Sequence, residues 1–472
     1  MNDKNTNPIS NKIFINGILT LQSPITIGSG DDNFTDNDLI RNGLNEVIIP
    51  GTSIAGTIRS YLSYIYEDKY ESFIREMFGF QEGKKGCQSN LIFYDSEPFS
   101  NDYNISIRDG IKIGTKENNY IFKNTQERGK YDYEIIESGA RFHFKLEVNL
   151  WQSQREELSK LENLLYIILN ILKNGELRFG GKTTRGFGKV KLNNIKILKL
   201  DLSNENDVSK WINFNWNDFE GTTKLKELNN NVLIPKEKKI TTIDVNFQIP
   251  YSILIGEYIP DPGEADIIHI QENGKSIIPG TSWNGALRSA IFQIFREIKK
   301  ILIREEKINI SNDDIYDNIY NGLIESLFGY VSIDKDESNQ KSEKSKIIID
   351  QSEIVNRKVL MNYTHNKIDR FTGGAVDKAL FTDCASYGGR TNFHISLKEC
   401  EDYEIGIILL GLKELMNGFQ TVGGTTAIGR GILESKEIKI NDELLEEDKF
   451  KYYCNEMMKK IMIKIRRDQN DK

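Results

Sequence analysis

One pattern is written twice in this chain, and the repetition limits its fold more than any single motif does. Ile49-Pro50-Gly51-Thr52-Ser53-Ile54-Ala55-Gly56-Thr57-Ile58-Arg59-Ser60 returns 229 residues later as Ile278-Pro279-Gly280-Thr281-Ser282-Trp283-Asn284-Gly285-Ala286-Leu287-Arg288-Ser289. Met77-Phe78-Gly79 returns as Leu327-Phe328-Gly329 at an offset of 250, and the run Gly180–Gly188 returns as Gly423–Gly431 at 243. Three landmarks in the same order indicate a tandem duplication, so the two halves must share one fold and one chemistry. A chain of 472 residues gives each half room for its own core.

The halves also share an order of elements. In the first, strands are predicted at Phe14–Leu21, Val47–Ile49, Leu91–Tyr94, Ala140–Val148 and Val190–Leu200. One helix carries Ile54, Ile58, Leu62 and Ile65, with Thr52 or Ser53 as a hydroxyl N-cap, and another runs from Leu158 to Leu172. The second half has strands at Ile243–Ile249, Lys346–Ile349, Thr391–Leu397 and Ile432–Ile440, with helices after Pro279-Gly280 and over Ile405–Phe419. The sequence β, α, β, β, α, β is the split βαβ pattern, so the expected class is α+β with two tandem ferredoxin-like (RRM-like) domains. The expected boundaries are a disordered tail at 1–11, a first domain at 12–205, a linker at 206–238, a second domain at 239–441 and a C-terminal helix or tail at 442–472. Asp334–Lys346 reads as a charged, mobile loop.

Composition narrows the function classes. No run of 18 apolar residues occurs and the first residues are polar, so neither a membrane span nor a signal peptide is expected, and the chain reads as cytoplasmic. Four scattered cysteines without CxxC, and four well-separated histidines, disfavour a zinc site. The net charge of −7 does not suggest a nucleic-acid binder in bulk, although a binding groove needs only local positive charge. Neither glycine-rich run fits GxxxxGK[ST], which argues against a nucleotide-binding P-loop.

Both repeated motifs suit a polyanion. The Pro-Gly-Thr-Ser turn places backbone N–H groups and hydroxyls at a helix start, with Arg59 or Arg288 near at hand. The bland alternative is a well-capped strand–turn–helix joint. In the glycine-rich loops Lys182, Arg185 and Arg430 supply charge and glycine permits close approach, against the alternative of a plain hairpin.

The Ile-Pro-Gly-Thr-Ser helix start, the Phe-Gly step and the terminal glycine-rich loop together resemble the RAMP (repeat-associated mysterious protein) family. The segment His365-Asn366-Lys367-Ile368-Asp369-Arg370-Phe371-Thr372-Gly373-Gly374-Ala375, followed by Ala379-Leu380-Phe381, looks like the thumb of type III CRISPR backbone subunits. In the first half the thumb is degenerate, with Ile107-Arg108-Asp109-Gly110-Ile111-Lys112 in its place. Two units in one chain are similar to the fused double subunit of type III-D systems. The resemblance implies guide-RNA binding, with each thumb kinking the strand, and cleavage of paired target RNA by one Asp per domain with a divalent cation, Mg²⁺ or Mn²⁺. Implied partners are guide RNA, target RNA and other CRISPR effector subunits, with no membrane.

By that resemblance the catalytic and metal-holding residues are Asp36 and Asp266, 14 residues before Pro50 and 13 before Pro279. Asp38 and Glu264 are rivals, and Asp31 and Asp32 lie just upstream. The implied RNA contacts are Ser53, Gly56, Arg59, Gly181, Lys182, Arg185, Ser282, Gly285, Arg288, Lys367, Arg370, Gly424 and Arg430. Two alternatives stay open: a non-catalytic RNA-binding scaffold, and a guide-processing ribonuclease that uses His or Tyr without metal.

Overall fold

Period-two alternation in Ile9–Leu21 sends Ile13, Ile15, Leu19 and Leu21 to one face, and all four are buried. This strand organises the first half. The computed structural model describes residues 7–30, 32–66, 70–83, 85–112, 129–218, 221, 239–258, 265–305, 313–331, 342–377 and 379–470. Asp31, Glu264, most of 219–238 and the larger part of the charged loop at 334–346 lie outside the described residues. The chain divides into two units, Met1–Thr183 with Phe187–Glu237, and Thr184–Gly186 with Lys238–Lys472.

In the first unit the elements run β1 (Ile9–Leu21), α1 (Gly51–Ile65), α2 (Glu71–Phe78), β2 (Leu91–Phe93), β3 (Ile105–Lys112), β4 (Gly129–Ile136), β5 (Arg141–Trp151), α3 (Leu158–Asn174), β6 (Val190–Asp201) and α4 (Glu205–Ile212). The sheet order is β2-β5-β1-β6, with every neighbour antiparallel. Because β2 runs parallel to β1 with β5 between them, this is the ferredoxin-like arrangement. α1 and α3 lie on one face of the sheet. Ile54, Ile58 and Leu62 of α1, and Leu161, Leu164, Leu165, Ile168 and Leu172 of α3, join the core there. Each such side chain contributes about 1.5–3 kcal/mol on burial.

The second unit repeats the plan with β7 (Ile240–Gln248), β8 (Gly256–Tyr258), β9 (Ile267–His269), β10 (Lys275–Ile278), α5 (Gly280–Arg304), α6 (Asp313–Phe328), β11 (Ile347–Ile349), β12 (Ser352–Val355), β13 (Val359–His365), β14 (Phe381–Tyr387), β15 (Arg390–Lys398), α7 (Asp402–Met416), β16 (Lys439–Ile440) and α8 (Glu447–Asn470). Here β11 and β7 flank β15, and β16 pairs with β7, again antiparallel throughout. β3 and β4 form a hairpin outside the first sheet, and β13 and β14 form its counterpart in the second unit.

Several local expectations change. β1 begins at Ile9, inside the segment read as a tail, and α4 occupies part of the segment read as a linker. α1 starts at Gly51 and α5 at Gly280, so the hydroxyls at 52, 53, 281 and 282 lie inside the first turn and make no cap. Pro50 and Pro279 take the cap position instead, and in the first unit Asp95 Oδ1 accepts the Gly51 N–H at 2.7 Å. The Phe-Gly step is a helix stop. Phe78 and Phe328 end α2 and α6, and Gly79 (φ 76°) and Gly329 (φ 74°) take a positive φ that glycine adopts without strain. Neither helix was among the expected elements, although Ile74 and Met77 of α2 and Ile319, Leu323 and Leu327 of α6 recur at helical spacing and are buried.

Candidate nucleic-acid interface

The first two motifs meet each other. Arg59 Nη1 lies 3.4 Å from the Gly79 carbonyl, and the Arg288 guanidinium lies 5.7 Å from the Phe328 ring centre. Each arginine therefore leans on its own Phe-Gly step, a structural task beside the phosphate contact expected of it; Arg288 remains exposed. One turn earlier, Gly56 and Gly285 are exposed, and a Cβ at either would meet nothing within 4 Å. Two open helical glycines at matching positions are a local cost of about 0.5–1 kcal/mol each that packing does not explain. Ser53 and Ser282 are half-buried one turn before them.

In the glycine-rich loops the bland reading accounts for much. A Cβ at Gly188 or Gly431 would collide with the carbonyl of Phe179 or Val422, so the hairpin itself demands these residues. The Gly181 and Gly424 N–H groups donate to Thr26 O (2.8 Å) and Leu254 O (2.7 Å), so neither is directed at a ligand. Lys182 is half-buried, with Nζ 3.0 Å from the Tyr133 ring centre and 4.5 Å from that of Tyr131. Arg430 departs furthest from the solvent-facing donor expected of it. It is 3% exposed, and Nη1 lies 2.8 Å from Asp383 Oδ1. Arg185, Lys367 and Arg370 are exposed.

The aspartates repeat one geometry. Asp36 Oδ2 accepts the Asp132 N–H at 2.9 Å, and Asp266 Oδ2 accepts the Thr382 N–H at 2.7 Å. Residues 132 and 382 are equivalent. Ile25 bridges Ile136 in one unit and Ile253 pairs with Ser386 in the other, which aligns β4 with β14 at an offset of 250. Both carboxylates are exposed. Asp132 returns the contact, Oδ1 accepting the Asp36 N–H at 2.9 Å, which sets a second carboxylate beside Asp36. Nothing in the sequence flagged Asp132, because it lies 96 positions from its partner.

Asp38 has a different task. It is 5% exposed and accepts the N–H groups of Asn33, Phe34 and Thr35 and the Thr35 hydroxyl, closing the loop that presents Asp36. Burial alone would raise its pKa, but hydrogen bonds from Thr35, Phe34 and Asn33 outweigh it and hold the group below the usual Asp value. Asp32 is exposed just upstream. The same loop is tied to β4 by Glu134, which accepts the Leu39 N–H at 2.9 Å and pairs with Arg41 at 2.9 Å. In the second unit β9 runs parallel to β14, placing Ile267 opposite Asp383.

Sheet-face stacking of bases, the habit of RRM domains, finds no support. In the first unit Phe14 points to the face away from the helices, where Phe214 stacks on it at 3.8 Å and Trp216 packs edge-on at 5.6 Å. In the second unit the matching face carries Thr242, Asp244, Asn246 and Gln248, none of them aromatic.

Comparison with known proteins accords with this fold. The RAMP superfamily model matches residues 18–191 and 246–434, one copy in each half. The chain belongs to the RAMP superfamily. About two fifths of the chain covers most of the length of each curated relative it matches. The chain is 32% identical over 211 residues to the CRISPR system Cms endoribonuclease Csm3 of Mycobacterium tuberculosis, covering 39% of this chain and 88% of that protein. It is 27% identical to Csm3 of Streptococcus thermophilus (39% and 89% covered) and 25% identical to Csm3 of Methanocaldococcus jannaschii (40% and 82%). A cryo-EM structure of the Type III-B Cmr-beta bound to cognate target RNA aligns over 40% of this chain and 61% of its own, at 18% identity and a TM-score of 0.31.

Among the described residues no cluster of three or more His, Cys, Asp or Glu side chains suits a metal ion, and no helix is long and apolar enough to cross a membrane. The donor chemistry at Asp36 with Asp132, and at Asp266, fits a hydrated divalent cation that takes one or two carboxylates and keeps most of its waters.

Proposed function

We propose that this RAMP chain is a double backbone subunit of a type III CRISPR effector complex, which holds a guide RNA and cuts the paired target RNA once per domain. The repeated placement of Asp36 and Asp266 carries the reading. Each carboxylate is exposed and steered by the N–H of the matching hairpin residue, although the hairpins themselves differ. The endoribonuclease name of the Csm3 relatives supports the same reaction.

RNA brings its own nucleophile, the 2′-OH, so the protein's main work is to hold the strand in line for attack. Asp36 and Asp266 would hold Mg²⁺ or Mn²⁺, which when bound supplies positive charge beside the reacting phosphate. Lys367 and Arg370 on the thumb, with Arg185 and Arg288, are exposed cations suited to phosphates. Arg430 is withdrawn from that set, and Lys182 serves chiefly to bind the glycine-rich loop to its hairpin. Further effector subunits are the expected neighbours.

The test uses the complex assembled with guide and labelled target RNA. Asp36→Ala and Asp266→Ala should each slow one cut by about a hundredfold or more and leave the other in place, with guide binding intact. EDTA should stop both cuts. Wild-type cutting by both variants would leave the scaffold reading, and EDTA-resistant guide trimming would favour the metal-independent ribonuclease.

A further inference from the structure

The two hairpins are braced by different chemistry at the same positions. Pairing within them matches Arg108 opposite Tyr133 to Tyr363 opposite Asp383, and Gly110 opposite Tyr131 to His365 opposite Phe381. Alignment of the glycine-rich loops matches Phe187 to Arg430. In the first unit the Arg108 guanidinium lies 5.5 Å from the Phe187 ring centre, and in the second that of Arg430 lies 4.5 Å from Tyr363. Cation and ring have exchanged places between hairpin and loop. The third member of each set differs as well, Tyr133 in one and Asp383 in the other. In the first unit Tyr133, Ile135 and Phe187 form a small apolar cluster.

Asp383 is fully buried, in the strand position next to Thr382, whose N–H holds Asp266. Two side chains face it. Arg430 Nη1 lies 2.8 Å from Oδ1, and His365 Nε2 lies 2.7 Å from Oδ2 while its ring stacks on Phe381 at 4.7 Å. The Arg430 N–H is not directed along a hydrogen bond to Oδ1, so charge attraction holds that side. A shift of the strand would pull this carboxylate from its partners and leave a charge uncompensated out of water, so the set resists that shift. Through the chain, that fixes the N–H on which Asp266 rests.

We infer that Asp383, locked by Arg430 and His365, is a positioning residue for the second cleavage site, acting on Asp266 through Thr382. The first site achieves the same with the apolar cluster of Tyr133 and Phe187. The inference rests on the proposed function and deepens it.

Asp383→Asn keeps the shape and removes the charge. In the assembled complex it should slow the second cut by about tenfold to a hundredfold with the first cut unchanged. Because that variant strands a buried arginine, Asp383→Asn with Arg430→Gln removes both charges and should show the same selective loss. A transplant of the first unit's set (Tyr363→Arg, His365→Gly, Asp383→Tyr, Arg430→Phe) should bring the second cut back to within about threefold of wild type, as coupled positions restore one another. Amide hydrogen exchange over 381–386 of the full chain should rise in Asp383→Asn and fall again in the transplant, a readout independent of cutting. An unchanged second cut in the double variant, an equal loss of both cuts, unaltered exchange, or a transplant no better than Asp383→Asn would each overturn the inference. Asp266→Ala separates the two ideas: if the second cut survives that change, the proposed function itself has failed, whatever Asp383 does.

Discussion

The first domain turns Lys12, Phe14 and Leu200 to a sheet face that its own chain covers, whereas the second turns Asp244, Asn246 and His394 toward water. On the covered face Phe214 and Trp216 pack against Phe14, Lys12 pairs with Glu147, and Lys12 Nζ sits 5.1 Å from the Trp211 ring centre. On the open face Asp244 bonds His394 Nδ1 at 2.9 Å, and the ring reaches the Ser396 hydroxyl at 3.3 Å. The helix-covered faces, by contrast, are alike. Ile13, Ile15 and Leu19 in one sheet and Ile243, Val245 and Phe247 in the other are all buried. Folding requires an apolar face under the helices and sets no such demand on the other, which is therefore free to change. A function shared by both halves must lie where both agree, at the aspartates with the hairpin N–H groups they accept and at the open helical glycines.

The largest expected effect bears on the covered face. Phe214→Ala with Trp216→Ala should cost the first unit about 3–5 kcal/mol and leave the second unchanged, read by denaturant unfolding with hydrogen exchange reporting each unit separately. An equal loss in both units would break the contrast.

A second prediction concerns His269, which takes the place that Leu39 holds in the first unit. Its ring is 1% exposed, Nδ1 accepts the Ile255 N–H at 3.2 Å, and Nε2 lies 3.0 Å from the Ile277 carbonyl. Burial pushes its pKa down to about 4. The unfolded chain then binds the proton more readily, so this stability is complete above the ordinary pKa near 6.5 and is lost as pH falls from there through 4. The loss should approach about 3 kcal/mol in acid. Unfolding of the second unit at pH 7 and pH 4.5 measures it, and His269→Leu should flatten the difference. An equally steep acid loss in that variant would remove His269 as its cause.

The smallest effect is the sharpest for RNA. Gly56→Ala and Gly285→Ala should each stabilise their helix by about 0.5–1 kcal/mol, since nothing stands within 4 Å of the new methyl group. Guide RNA titrated at fixed salt should nevertheless bind more weakly if the bare helix face lies against the strand. Unchanged affinity would remove that face from the interface.

Much of the fold was legible in the residues. The duplication, the strand–helix order and the apolar stripes follow from neighbours two to four positions apart, which is the range over which strand and helix periods operate. Asp36 and Asp266 stood as candidates by resemblance, 14 and 13 residues before their Pro-Gly turns and with Asp38 and Glu264 as rivals; the N–H contacts that match them to one another lie in the tertiary structure. Helix α2 was not legible, because the eight residues of Glu71–Phe78 make only about two turns, shorter than the window over which a helical period is read; α6 also went unread, although Ile319, Leu323 and Leu327 keep helical spacing. Nor was the inward turn of Arg430, since an arginine in a glycine-rich loop reads as solvent-facing until its carboxylate is known.

By itself the sequence determined that there are two domains, what layers each contains, and which short motifs recur. The tertiary structure decided which side chains answer one another: Asp132 and Thr382 to the aspartates, Asp383 to Arg430, Phe214 to Phe14. Those partners lie from 47 to 200 positions apart. Periodicity encodes which way a side chain faces, whereas the choice of partner depends on how whole elements pack, and that is set only when the core closes.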